Sequence, residues 1–169
     1  MTAPELFWIP GPWRGNLAVS TRPRGGDWLE DEVRAWRGAG VDIVVSLLEQ
    51  AENEQLELQG ERKLAEASGL RFLSFPITDR GVPSSPKAAV QLLKDLTYAL
   101  GQGEHVAVHC RQGIGRSGLF AAGALVASGA TAETALQTVS SARGLVIPET
   151  PDQRRWVEQL AEQHLALAR

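Results

Sequence analysis

The stretch His105–Gly118, HVAVHCRQGIGRSG, constrains this chain most. Val106 to Val108 form an apolar run of buried-strand length. That strand delivers His109 and Cys110 to its carboxyl end. A turn carrying Gly113 and Gly115 follows, and the small apolar residues from Leu119 to Ala127 then predict a buried helix. Strand, glycine turn and helix in direct succession point to an α/β fold, whose ligands sit beyond the carboxyl ends of strands.

The turn also carries chemistry. Gly113 and Gly115 can take φ > 0, so the backbone N–H groups of Arg111, Gln112, Gly113, Ile114 and Gly115 can converge on one anion. A helix beginning near Arg116 adds unpaired N–H groups and the positive end of its dipole. The Arg116 guanidinium matches two phosphate oxygens. Cys110 lies where this field is strongest, so its thiol should ionise below the ~8.5 of a free cysteine. A thiolate at the floor of a phosphate cradle points to attack on phosphorus. The blander reading of Cys110 is a small buried hydrophobe. Its place six residues before an arginine, between a strand end and a glycine turn, favours chemistry.

The pattern His109-Cys110-x5-Arg116-Ser117 resembles the signature loop of the cysteine-dependent protein tyrosine phosphatases. In a chain of 169 residues it looks most like their compact dual-specificity branch. Asp79-Arg80-Gly81-Val82-Pro83 resembles the acid loop of small enzymes of the cyclin-dependent-kinase-associated kind. The resemblance implies roles for these positions. Cys110 would be the nucleophile and Arg116 the holder of the phosphoryl oxygens. Asp79 would protonate the leaving group and then serve as base. Ser117 would help the cysteine leave, and His109 would support the loop and its thiolate. Gln153 either positions water or caps a helix. The Arg111 side chain contacts substrate or is solvated surface. A turn aspartate bonding its own backbone is the plain alternative for Asp79.

Gly113-x-Gly115-x-x-Gly118 also matches a dinucleotide-binding glycine pattern. It comes late in the chain, and Thr138 stands where a ribose-binding acid is needed, with Glu133 the nearest. It also leaves Cys110 and Arg116 unexplained. A Walker loop is excluded, because no Gly-Lys-Ser/Thr occurs here. The leading reading is a phosphomonoester hydrolase acting on phosphoprotein (phosphotyrosine, phosphoserine/threonine or both) or on a small phosphomonoester. A non-catalytic phosphate-binding module and a rhodanese-type sulfurtransferase remain open.

A net charge of −3 argues against general nucleic-acid or anionic-membrane binding. Cys110 is the only cysteine, so no intrachain disulfide can form, which fits a reducing cytoplasm. The N-terminal MTAPELFWIPGPWRG lacks signal-peptide character, and no run reaches the ~18 apolar residues of a membrane span. His105, His109 and His164 show no metal-ligand spacing. The expectation is one cytoplasmic, monomeric domain over residues 1–169 that uses no metal or cofactor.

Along the chain, Leu6–Ile9 and Asn16–Ser20 read as an antiparallel edge. Asp27 and Glu30 suggest a capping box opening a helix to Arg37, with Trp28, Val33 and Trp36 on its packed face. Val41–Leu48 reads as a central strand. Residues 49–59 read as an acidic loop with a helical turn at the rim of the site. Glu61–Ser68 is a short helix and Leu70–Ile77 a strand, which suggests a parallel crossover. Ser85 and Pro86 open a helix that ends near Leu100. Thr131 caps another, and Thr150-Pro151-Asp152-Gln153 opens the last, which carries Trp156, Val157, Leu160 and Leu165. The sum is a central, mostly parallel sheet with helices on both faces.

Overall fold

The computed structural model describes residues 3–168, with side chains up to residue 164. The Leu165 side chain and both extreme ends of the 169 residues lie outside the described residues. Five four-residue strands form one sheet: β1 (Leu6–Ile9), β2 (Leu17–Ser20), β3 (Ile43–Ser46), β4 (Arg71–Ser74) and β5 (Val106–His109). Their spatial order is β1-β2-β5-β3-β4. Only β1 and β2 pair antiparallel; the other three pairings are parallel. The central strand is therefore β5, and β3 lies one place further out. Both Ser20 and Ser46 are in register with His109, so three strand ends reach the same level beside Cys110.

The helices are α1 (Leu29–Gly38), α2 (Gln50–Gln55), α3 (Glu61–Ala67), α4 (Pro86–Gly101), α5 (Gly115–Ala127), α6 (Ala132–Arg143) and α7 (Pro151–Ala168). Strand parity separates two cores. Val106 and Val108 of β5 join Leu93 of α4, Phe120 of α5, Val139 of α6 and Val157 of α7 on one face. Ala107 joins Val33 and Trp36 of α1 and Ala65 of α3 on the other. Helix α5 is buried along nearly its whole length, which explains why its residues are small and apolar all round.

Two caps expected from sequence are present. The Ser85 hydroxyl accepts from Ala88 N at 3.2 Å, and Thr131 Oγ1 accepts from Thr134 N at 3.1 Å. The Asp27 box is not: a 3-10 turn over Gly26–Trp28 leads into α1, and no side chain caps it. Trp28 is 56% exposed rather than packed, and the Arg24 guanidinium lies 4.2 Å from its ring centroid. An indole can be covered by a cation instead of the core, which hydrophobic spacing alone does not distinguish.

Candidate active site

The cradle forms where β5 ends and α5 begins. Cys110 is buried in the α5-side core, and its Sγ lies 3.2 Å from Ser117 Oγ. Burial by itself would raise the thiol. The Ser117 hydroxyl, the N–H groups of Ser117 and Gly113, and the charge of Arg116 outweigh burial and hold it below the ordinary value. Gly113 has φ = +71°, as the turn requires. Gly115 does not take a positive φ; it is the first residue of α5. Its lack of a side chain is a matter of space, since a Cβ there would lie 2.5 Å from Glu149 Oε1. A Cβ at Gly118 would lie 2.5 Å from Ile147 Cγ2.

Arg116 is 2% exposed. Its Nη1 donates to Glu52 Oε1 at 2.7 Å and to the Ile77 carbonyl at 2.9 Å. Its Nη2 donates to Glu52 Oε2 at 2.9 Å. This two-pronged pair fixes the plane of the guanidinium. Burial disfavours the charge on each partner, but their mutual attraction prevails: Glu52 is held below the usual carboxylate range and Arg116 stays protonated. Arg111 adds a looser contact, 3.6 Å from Glu52 Oε2. Glu52 belongs to α2, where Glu49 supplies a capping box. The acidic 49–59 segment thus reaches beneath the cradle rather than only edging it. Nothing in the spacing of Glu52 marks it out among the seven other acids and amides of that segment; its partner lies 64 residues away.

His109 follows Ala107 in strand parity and points to the α1/α3 side. Its Nε2 lies 2.5 Å from Glu61 Oε1 and its Nδ1 3.2 Å from the Cys110 carbonyl. Trp36 stacks on the ring at 5.6 Å between centroids and donates Nε1–H to Ser20 Oγ at 3.1 Å. Burial opposes protonation of His109, yet Glu61 overcomes it and raises the imidazole above its ordinary value. Glu61 is a second buried acid that the sequence pattern does not reveal.

Asp79 sits beyond β4, its Oδ1 3.3 Å from Arg116 Nη2, with its side chain 57% exposed. Arg80 takes φ = +62° and faces Glu149 Oε2 at 3.6 Å. Asp79, Arg80, Cys110, Arg111, Gln112, Arg116 and Glu149 line one cavity of about 200 Å³. Arg111 and Gln112 therefore flank the mouth. Gln153 is fully buried. Its Oε1 accepts from the Glu149 and Thr150 N–H groups at 3.2 and 3.3 Å, and its Nε2 donates to the Gly81 carbonyl at 3.1 Å. It caps α7 and ties the Asp79 loop to that helix end. The cavity combines an acidified thiol, a fixed guanidinium and a reachable carboxyl, a set suited to phosphoryl transfer.

The model of the family described as "Polymorphic toxin system, DSP-PTPase phosphatase" matches residues 19–130, from β2 to the end of α5. The chain belongs to this phosphatase family. Protein tyrosine phosphatase domain-containing protein 1 of Mus musculus is 34% identical over 139 residues, which cover 76% of this chain. The match spans 18% of that relative's length. The structure of kinase associated phosphatase (KAP), with its catalytic-site cysteine replaced by serine, superposes with a TM-score of 0.86. It shares 17% identity and 98% coverage of both chains, so it attests the fold. Tk-PTP in its active form is 29% identical, with a TM-score of 0.75 over 94% of this chain and 97% of its own. The compact dual-specificity-like architecture expected from sequence is thus the one observed. Among the described residues no helix is long and apolar enough to cross a membrane.

Proposed function

We propose that this phosphatase hydrolyses phosphomonoesters on proteins through a phosphocysteine intermediate. The observation that carries the reading is the single cavity holding the acidified Cys110, the clamped Arg116 and Asp79. In the first step the Cys110 thiolate attacks phosphorus in line with the leaving oxygen. The S–P bond forms as the P–O bond breaks, and the Asp79 carboxyl gives its proton to the departing oxygen. Arg116 and backbone N–H groups of residues 111–116 hold the three equatorial oxygens. In the second step water attacks the phosphocysteine and passes a proton to the Asp79 carboxylate. The S–P electron pair returns to sulfur, where the Ser117 hydroxyl, 3.2 Å away, stabilises the emerging thiolate.

The positive charge for both steps comes from the cradle itself, so the mechanism calls for no metal. Phosphorylated protein side chains, tyrosine or serine/threonine, are the substrate class. Support comes from the family and from the polar, charged mouth formed by Arg80, Arg111 and Gln112. Hydrolysis of p-nitrophenyl phosphate in EDTA, followed by phosphotyrosyl and phosphothreonyl peptides, tests the reading. Turnover by wild type and none by Cys110→Ser is the expected result. An inactive wild type that still binds phosphopeptide would replace it with a binding module. Thiosulfate turnover without phosphate release would replace it with sulfur transfer.

A further inference from the structure

A loop that turns its N–H groups inward to hold an anion turns its carbonyls outward. Those carbonyls need donors behind the loop, or the peptides lose their orientation. Here one residue serves two of them. Arg143, the last residue of α6, donates Nε–H to the Gly113 carbonyl at 2.8 Å and Nη2–H to the Gln112 carbonyl at 3.2 Å. Its guanidinium lies 4.0 Å from the centroid of the Phe7 ring on β1, a cation–π contact that steadies the fork behind the cradle. Gly113 is also wedged from below, since a Cβ there would stand 3.1 Å from the Ser20 carbonyl oxygen.

One peptide group links this cation to the nucleophile. The Gln112 carbonyl faces Arg143, and the N–H of the same amide, on Gly113, is one of the groups that lower the Cys110 thiol. A donor on one end of an amide polarises the other end and strengthens its hydrogen bond. We propose that Arg143 is a positioning residue, which orients and polarises the Gln112–Gly113 peptide so that its N–H is held on the Cys110 sulfur from 30 residues away in sequence. The inference rests on the reading of Cys110 as the nucleophile. It adds a contact at the rear of the cradle that the Cys-x5-Arg pattern does not contain. A guanidinium suits this place because its planar fork presents donors to two successive carbonyls at a fixed spacing, which the ammonium on a flexible lysine stem does not pre-set.

The test uses Arg143→Gln, Arg143→Lys and Phe7→Leu in the full chain, each checked for fold by circular dichroism and thermal melting. The readout is the pH profile of iodoacetamide alkylation of Cys110, which reports thiolate without requiring turnover. In Arg143→Gln the profile moves to higher pH, and alkylation at pH 6 slows about three- to tenfold. Arg143→Lys shows part of that shift, and Phe7→Leu a smaller shift in the same direction. Competition by inorganic vanadate weakens in the same order. A folded Arg143→Gln with an unmoved alkylation profile overturns the proposal, even if its melting temperature falls. An inactive wild type would overturn the catalytic reading, whereas an active wild type with an unmoved profile in Arg143→Gln overturns this inference alone.

Discussion

The cradle over residues 110–116 and the acid loop over 78–83 both follow carboxyl ends of parallel strands, yet they are held in opposite ways. In the cradle, Arg116 is buried and bound by Glu52 and the Ile77 carbonyl, Cys110 is flanked by Ser117, and the outward carbonyls are met by Arg143. In the acid loop, Asp79 stands more than half exposed, with one contact to Arg116 at 3.3 Å. That loop is fixed by its backbone, through Gly81 N to the Thr78 carbonyl at 2.7 Å and through Gln153. Groups that stabilise developing charge work best when already in place, because reorganising them during reaction costs free energy. A proton donor must approach the leaving oxygen and then let the product depart, so a side chain with few restraints suits it.

That contrast can be broken most sharply at its rigid end. Cys110→Ser should lower aryl phosphate hydrolysis on the order of 10⁴-fold or more, with circular dichroism unchanged. Arg116→Lys keeps a charge beside Glu52 but loses the fork, and should cost about 10²–10³-fold in kcat/KM. Retained activity in either would remove the cradle from the chemistry. At the exposed end, Asp79→Asn should slow an alkyl phosphate about 10²–10⁴-fold. The same change should affect p-nitrophenyl phosphate much less, because that leaving group needs little protonation. Equal losses on both substrates would mean that Asp79 positions Arg116 instead of donating a proton.

Glu52→Gln tests the support beneath the guanidinium. Uncoupling a buried pair should reduce stability by about 3–5 kcal/mol in denaturant unfolding, and about tenfold of kcat/KM should go with it. A fully active, fully stable variant would show that Arg116 needs no clamp. The thiol gives a subtler readout. Because Cys110 is held below the ordinary value, the acidic limb of kcat/KM should lie below that of a free thiol, and Ser117→Ala should move it upward. The smallest effect concerns His109 and Glu61. The folded-state imidazole is raised above its unfolded value of 6.5, so the pair's contribution is fully present below that pH. It is lost as pH rises through the folded-state value. Wild type should therefore lose part of its margin over Glu61→Gln between mildly acidic and alkaline pH, as measured by paired unfolding curves. A constant difference would show that the pair does not titrate in that window.

Much of this arrangement is local and can be read along the chain. Val106–Val108, Cys110, Gly113 and Arg116 lie within one strand–turn–helix, where covalent spacing sets the geometry. The Ser85 and Thr131 caps are local for the same reason, as is the Thr150–Gln153 box, in which Gln153 N donates to Thr150 Oγ1 at 3.1 Å. Patterns misled where two environments share one signature. Trp28 has helix-core spacing but is covered by Arg24, and Gly115 is small because Glu149 and Gln153 crowd it, not because its backbone is left-handed.

By itself the sequence determined the α/β layering, the β5–cradle–α5 unit and the cradle residues that line the cavity, because each follows from periodicity or from contacts within a few residues. Only the tertiary structure decided which groups stand behind them. Glu52 reaches Arg116 across 64 residues, Glu61 reaches His109 across 48, and Arg143 reaches Gly113 across 30. Those pairings exist because β5 lies between β2 and β3: α2 and α3 follow β3 in the chain, and α6 packs against α5 and β1. An exposed acid and a buried clamp look alike in one dimension. What separates them is desolvation, which makes an unpaired buried charge so unfavourable that the fold must bring its partner to it.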